Sequence, residues 1–154
     1  PHPNLGQALF EPPNVAGWAA FYQAPQFHET WINADTYPRR NLFTDTMIGT
    51  GYTRNGQKIV IDPVAFTKKL SNPSDPNILM NDALRILFRM DLSAASKAAL
   101  KNQILLSNQA QDYYWTNAWA AYISNPTAAN YQVVFTRLRD LYKYLMDLAE
   151  YQLC

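Results

Sequence analysis

The sequence VFTRLRDLYKYLMDL at residues 134–148 carries the clearest structural pattern in the chain. Its apolar residues alternate between spacings of four and three: Val134, Leu138, Leu141, Leu145 and Leu148. An α-helix turns once every 3.6 residues, so this spacing places all of them on one face. The charged residues lie off that seam: Arg137, Arg139, Asp140, Lys143, Asp147 and Glu150. The pattern predicts a long amphipathic helix, which begins after the break at Asn125-Pro126-Thr127.

Three further helices are predicted before this one. Asp75-Pro76 is an N-cap followed by proline at the first helical position, and it starts a helix over about 77–89. Ser93 caps the next helix, which runs to about Leu106, and a third covers about 111–123. The predicted apolar faces are Leu79, Ala83, Ile86 and Met90 on the first, Ala95, Ala99, Leu100, Ile104 and Leu105 on the second, and Trp115, Trp119 and Tyr122 on the third.

The first part of the chain is rich in turns, since nine of the ten prolines and all five glycines precede residue 77. Thr36 to Met47 reads as a helix with Asp35 as its N-cap, and Asn55-Gly56 predicts a two-residue hairpin turn. Asp62-Pro63 caps a short helix that ends near Leu70. We therefore predict one domain over 1–154, mainly α: a helical bundle with a loop-rich, Pro/aromatic-rich N-terminal part (1–61), one small β-hairpin and a helical part (62–154).

Composition argues against several function classes. Thirteen basic and twelve acidic residues are interspersed, whereas a nucleic-acid binder would show a basic face. No apolar run approaches the roughly 20 residues that span a bilayer. His28-Glu29 is adjacent rather than on one helix face, and no zinc, phosphate-loop or nucleophile motif is present. We predict no catalytic residue, metal site or cofactor in this sequence.

A proline-bounded aromatic segment is the candidate binding region. Aromatic rings on a rigid loop offer flat faces to sugar rings or partner side chains. The candidate ligand-binding residues are Asn14, Trp18, Tyr22, His28, Trp31 and Asn33. The alternative interpretation is that the aromatic rings hold an irregular loop against the helices. Glu11, Glu29 and Asp35 flank the region, so a carboxylate pair for glycoside cleavage stays open.

Several motifs resemble one known family. They are GQALFEPPNVAGW at 6–18, Trp31-Ile32-Asn33, Arg40-Asn41, and the tail from Leu138 to Leu153. They are similar to the C-terminal region of the family named domain of unknown function 1800, in its bacteroidete type. In that family Asn41 would be followed by Phe, whereas here Leu42 comes before Phe43. The resemblance implies an exported, mostly helical bacterial protein, periplasmic or extracellular, without established activity or catalytic residues.

Two functional hypotheses follow. The first is a non-catalytic structural or interaction module at the C-terminus of a larger exported protein, whose partner is the N-terminal remainder of the same polypeptide. The chain opens with Pro1-His2-Pro3-Asn4 and no initiator Met, which indicates a cut inside a longer chain. The second is a carbohydrate-binding or polysaccharide-processing module completed by that remainder. Its partners would be a glycan or another protein.

Overall fold

The fold was analysed in a computed structural model, which describes residues 32–152. Within that range it contains seven α-helices, one π-helical segment and one two-stranded hairpin. In chain order these are α1 (Thr36–Ile48), β1 (Tyr52–Arg54), β2 (Gln57–Ile59), α2 (Pro63–Thr67), α3 (Pro76–Leu87), α4 (Ala94–Leu100), the π-helical segment (Lys101–Leu105), α5 (Tyr113–Ser124), α6 (Ala128–Asp147) and α7 (Ala149–Gln152). The predicted mainly α class with one small hairpin is confirmed. The predicted aromatic-rich loop lies outside the described residues, apart from its end at Asn33.

Helix α6 is the centre of the fold. The other main elements packed against it are α1, α2, α5 and the π-helical segment. Four residues of the predicted seam have no exposed surface: Val134, Leu138, Leu141 and Leu145. Burying a side chain of this size stabilises a fold by about 1.5–3 kcal/mol relative to leaving it exposed. The prediction for this helix is confirmed as far as Asp147, and the last seam residue, Leu148, lies just beyond the helix and is half-buried.

Helix α5 contributes the aromatic part of the core, as predicted. Trp115, Trp119 and Tyr122 are all buried. The Trp115 and Trp119 rings stack with centroids 5.6 Å apart, and Tyr122 meets Trp119 edge-on. Trp115 is completely buried, and its indole Nε1 donates a hydrogen bond of 2.8 Å to the carbonyl oxygen of Pro73. The one polar atom of that side chain is therefore satisfied inside the core.

Side-chain caps start four of the helices. Helices α2, α3 and α4 begin at the predicted caps, Asp62, Asp75 and Ser93, and α6 begins directly after the predicted break, with Thr127 as its cap. The prediction that Asp35 caps α1 is wrong, because its side chain makes no capping bond. Asn33 does so instead, since its Oδ1 accepts from the backbone N–H groups of Asp35 and Thr36 at 2.9 Å. The Thr36 hydroxyl accepts in return from the Asn33 N–H, which completes a reciprocal cap.

Helix α3 ends at Leu87, two residues earlier than predicted. Phe88 leaves the helix in an extended conformation, and its side chain is buried. Ile86 and Met90 are 59% and 62% exposed, so their predicted place on the buried face is wrong. For Met90 the physical reason is that the chain leaves the helical path at Phe88, so the apolar face of α3 does not continue to residue 90.

Helix α4 continues into the π-helical segment. The Leu106 N–H donates to the carbonyl of Lys101, five residues back, at 2.9 Å. The wider turn brings Leu105 and Leu106 into the core together, and both are completely buried. Ala95 and Ala99 are exposed, so their predicted place on the apolar face is wrong. The end of the helix, rather than its alanine-rich middle, reaches the core.

The predicted hairpin is confirmed. Arg54 pairs with Gln57, which leaves Asn55 and Gly56 as a two-residue turn. Both have positive φ angles, 51° and 75°, as the tight turn requires. The adjoining residues Ile59 and Val60 are more than half exposed.

A buried hydrogen bond joins α2 to α6. The hydroxyls of Thr67 and Tyr142 lie 2.6 Å apart, and Thr67 Oγ1 also lies 2.8 Å from the Pro63 carbonyl oxygen. A carbonyl can only accept, so Thr67 donates to Pro63 and accepts from Tyr142. Burial raises the pKa of the Tyr142 phenol, which keeps that donor protonated. Thr67 is the only buried polar side chain within residues 32–152.

Candidate functional site

Asn33 alone among the predicted ligand-binding residues is described by the structure. Asn14, Trp18, Tyr22, His28 and Trp31 lie outside the described residues, and their binding role stays a prediction. Asn33 is exposed, and its side-chain oxygen is already bonded to the first N–H groups of α1. The structure therefore gives Asn33 a capping role at the start of α1.

The polar side chains that face each other across α1 and α6 form the candidate site, which we call the α1–α6 polar cluster. It consists of Asn41, Thr44 and Asp45 from α1, and Lys143 and Asp147 from α6. Asn41 stands three residues before Thr44 and four before Asp45, and Lys143 stands four before Asp147, so the members on each helix lie on one side of it. Helix α1 packs against α6 along this face.

Two bonds hold the polar cluster together. The Lys143 Nζ lies 2.9 Å from Asp45 Oδ2, and both side chains are about one-third exposed. The Tyr37 hydroxyl donates to the backbone carbonyl of Asp147, which satisfies one of the free carbonyls at the end of α6. The ion pair and this bond tie the start and the end of α1 to the last turns of α6.

Three oxygen atoms of the polar cluster lack a partner. Within the described part of the chain, Asn41 Oδ1, Asp45 Oδ1 and Asp147 Oδ1 are hidden from solvent and accept no hydrogen bond. Most buried polar atoms in proteins are paired, because leaving one unpaired costs about 1–3 kcal/mol. Among the described residues, these three oxygens and Arg40 Nε are the buried side-chain atoms that lack a hydrogen-bond partner, so unpaired polar atoms concentrate at this contact.

The two carboxylates of the polar cluster differ in their electrostatic surroundings. Burial raises the pKa of the Asp147 carboxyl, and the negative charge of Asp45 raises it further. The Lys143 ammonium and the Thr44 hydroxyl oppose that rise. Asp45 forms the ion pair with Lys143, so the repulsion between the two carboxylates disfavours the charged form of Asp147. Paired acids in unlike environments are the usual source of an acid and a base in one site.

The donor set does not favour a metal. No group of three His, Cys, Asp or Glu side chains that could hold a metal ion exists within residues 32–152. In the polar cluster, Lys143 already supplies a positive charge to the carboxylates. A divalent cation would compete directly with that ammonium group.

Sequence reasoning missed the polar cluster because its halves are about a hundred residues apart. Lys143 and Asp147 were expected only to lie off the apolar seam of α6, and they do lie beside it. The available signal was the repeated i, i+4 pairing, Asn41 with Asp45 and Lys143 with Asp147. Nothing in the sequence alone joins one pair to the other.

Comparison with known proteins gives one match. Residues 2–153 match the family described as Protein of unknown function (DUF1800), which covers essentially the whole chain. No curated protein and no solved structure matches it. Two of the family-like motif residues quoted above, Arg40 and Asn41, stand on α1 at or beside the polar cluster. Across 32–152, no helix has both the length and the apolar character needed to cross a membrane.

Proposed function

The chain belongs to the DUF1800 family, whose activity is not established, and we propose that it is a non-catalytic structural and interaction module. One observation carries the proposal. The side chains of the α1–α6 polar cluster lie along a contact between helices and are only partly exposed, and their unpaired oxygens are hidden from solvent. A substrate can reach those oxygens only if α1 and α6 separate, so the acids serve to hold the two helices in register.

A structural role makes the Lys143 charge essential to folding. Removing it leaves two carboxylates facing each other without compensation. Breaking a fully buried ion pair costs about 3–5 kcal/mol. Here the pair is one-third exposed, so Lys143→Met should lower the free energy of unfolding by about 1–2 kcal/mol. Urea denaturation measures this, with Lys69→Met, an exposed lysine, as the matched control.

The activity test of this proposal is direct. The purified chain should hydrolyse no member of a panel of polysaccharides and sulfate esters. Turnover that Asp147→Asn abolishes, and that the exposed control Asp140→Asn leaves intact, would overturn the proposal. A loss of stability in Lys143→Met without any turnover in the wild-type chain supports it.

An exposed apolar run supports the interaction half of the proposal. Ile59, Val60 and Ile61 are 58%, 53% and 39% exposed, next to a hollow of about 190 Å³ that Ile61, Pro63 and Phe66 help to line. We infer that the partner is the N-terminal remainder of the same polypeptide, and that the whole protein is exported to the periplasm or beyond. The separately expressed remainder should bind the wild-type chain. Val60→Asp should weaken that binding, while Val133→Asp should not; equal effects would contradict the assignment.

The second candidate is polysaccharide processing, and the raised pKa of Asp147 beside Asp45 favours it. In that case Asp147 would act as the acid and Asp45 as the base, once the rest of the polypeptide opened the contact and supplied sugar contacts. The full-length protein would then show a bell-shaped pH profile, and its alkaline limb, which reports deprotonation of the acid Asp147, would shift to higher pH in Thr44→Val. A full-length protein without turnover on the same panel removes this candidate.

A further inference from the structure

An open cleft lies between α3 and α4. It has two adjoining hollows of about 430 and 370 Å³. They share Asn81, Asp91 and Lys97, so one ligand can contact both. Each hollow lies within the volume range of small-molecule sites, which is about 300–1,000 Å³.

The lining of the cleft is positively charged. Arg85, Arg89, Lys97 and Lys101 contribute to it, and Asp91 is its only acidic member. The chain as a whole carries a net charge of only +1, so this concentration of cations is local. A concave surface lined with one sign of charge attracts small ions of the opposite sign. The chemistry therefore favours an anionic ligand.

Two amide–lysine pairs hold the positive groups in fixed positions. Lys97 Nζ donates to Asn81 Oδ1 at 3.0 Å, and Lys101 Nζ donates to Asn77 Oδ1 at 2.8 Å. The first pair bridges α3 and α4, the second bridges α3 and the π-helical segment, and the two pairs are one helical turn apart. The lysine side chains are only 23% and 15% exposed, so their stems are ordered before any ligand arrives. Such ordering lowers the entropic cost of binding.

The carboxylate of Asp91 occupies the position in the cleft that the oxyanion of a ligand would take. Its carboxylate lies 2.6 Å from Lys97 Nζ, although its own side chain is 76% exposed. It stands in the short connection between α3 and α4, outside any helix. An exposed ion pair of this kind contributes little to stability and can exchange with an external anion. Arg85 lines the same hollow, and its positive charge acts on the nearby carboxylate of Asp82, which is itself hydrogen-bonded to Ser71.

Lys101 plays a different part from Lys97. Its ammonium group is also bonded to Asp112 at 2.7 Å, and Asn77 donates to the same carboxylate at 2.8 Å. This closed network fixes the inner wall of the cleft. The exchangeable positive groups are therefore Lys97, whose acidic partner is exposed, and Arg85.

We propose that the α3–α4 cleft binds a small oxyanion ligand, bearing a carboxylate or phosphate group, that displaces Asp91 from Lys97 and also bonds Arg85. The amides of the cleft can hydrogen-bond further polar groups of the ligand. Phe88 and Met90 line the first hollow beside Arg85, so the cleft also accommodates an apolar portion. This proposal is independent of the α1–α6 polar cluster and of the function assigned to it.

Titration of the ¹⁵N-labelled chain with citrate and, separately, with pyrophosphate tests the proposal at constant ionic strength. Saturable chemical-shift changes should appear in residues 85–101 for at least one probe. Removing the charged contact in Lys97→Met should weaken binding about tenfold. Removing the competing carboxylate in Asp91→Asn should tighten it about threefold. Saturation by citrate alone identifies a carboxylate site, and saturation by pyrophosphate alone identifies a phosphate site.

Matched variants separate a local site from general electrostatic attraction. Asp140→Asn changes the net charge by the same amount as Asp91→Asn, but on an exposed face of α6, and should leave the affinity unchanged. Lys69→Met is the corresponding control for Lys97→Met. Equal effects of Asp91→Asn and Asp140→Asn overturn the proposal, as does the absence of saturable binding by both probes. Because Asp91→Asn removes only an exposed ion pair, it keeps the test valid if Lys97→Met fails to fold.

Discussion

Replacing Thr67 by valine should destabilise the fold more than replacing Tyr142 by phenylalanine, although both changes remove the same hydrogen bond. In Tyr142→Phe the Thr67 hydroxyl still donates to the Pro63 carbonyl and loses only the bond that it accepts. Losing one hydrogen bond of this kind costs about 1 kcal/mol. In Thr67→Val the phenol of Tyr142, which is 4% exposed, keeps its O–H without an acceptor. An orphaned buried group costs about 2 kcal/mol.

The double variant makes the reasoning quantitative. Thr67→Val with Tyr142→Phe leaves no orphaned hydroxyl, so its free energy of unfolding should lie above that of Thr67→Val alone. Urea denaturation followed by circular dichroism gives all three values. With a slope of about 2 kcal/mol per molar urea, the two single variants should differ by about 0.5 M in midpoint. Tyr144→Phe, half exposed on the same helix, is the control and should be neutral.

Two results would refute this account. One is a loss in Tyr142→Phe as large as that in Thr67→Val, which would mean that the donor direction is reversed. The other is a double variant whose loss equals the sum of the single losses, which would mean that the two hydroxyls do not interact.

Three further predictions concern other parts of the fold. Gly56→Ala should cost about 1 kcal/mol because the residue has φ 75° with open space around it. Gly51→Ala should cost more in thermal denaturation because, at φ 82°, its added Cβ would also lie 3.0 Å from the backbone oxygen of Ile59; equal losses would contradict this. Leu138→Ala should cost about 3 kcal/mol in urea denaturation, against about 0.5 kcal/mol or less for Val133→Ala, which is half exposed; similar losses would show that α6 is not the core. Asp147→Asn should stabilise the fold near neutral pH. The folded-state pKa of Asp147 is raised, so between about pH 4 and that pKa the folded state binds a proton that the unfolded state has lost. The stability of the wild-type chain should therefore fall relative to that of the variant as the pH rises through this window. A stability difference that does not change with pH would refute the assignment.

Local physics explains which parts of this fold the sequence predicts. The seam of α6, the caps at Asp62 and Asp75, and the Asn55-Gly56 turn each depend on residues a few positions apart. The interactions that stabilise each of these features involve residues close together in the sequence, so the residue pattern is enough to predict the feature. The aromatic face of α5 was predictable for the same reason.

The errors arise where distant parts of the chain decide the outcome. Ile86 reads as a core residue by periodicity, but the early end of α3 at Leu87 and the burial of Phe88 leave it exposed. At the start of α1, Asp35 and Asn33 are both good caps, and only the backbone geometry selects Asn33. The polar cluster needed the contact between α1 and α6, which no short-range pattern contains. The sequence therefore shows Asp45 and Asp147 as separate residues, but it does not predict that they lie close together.

The π-helical segment affects how this sequence should be compared with its relatives. A π turn accommodates one more residue than an α turn between the same two ends. Deleting one residue within 101–105 would therefore let α4 continue as an ordinary helix while its earlier residues kept their orientation relative to the core. Lys97 would still face Asn81. A relative one residue shorter in this segment therefore needs its alignment gap placed there, and with that gap its cleft-lining lysines align with those of this chain.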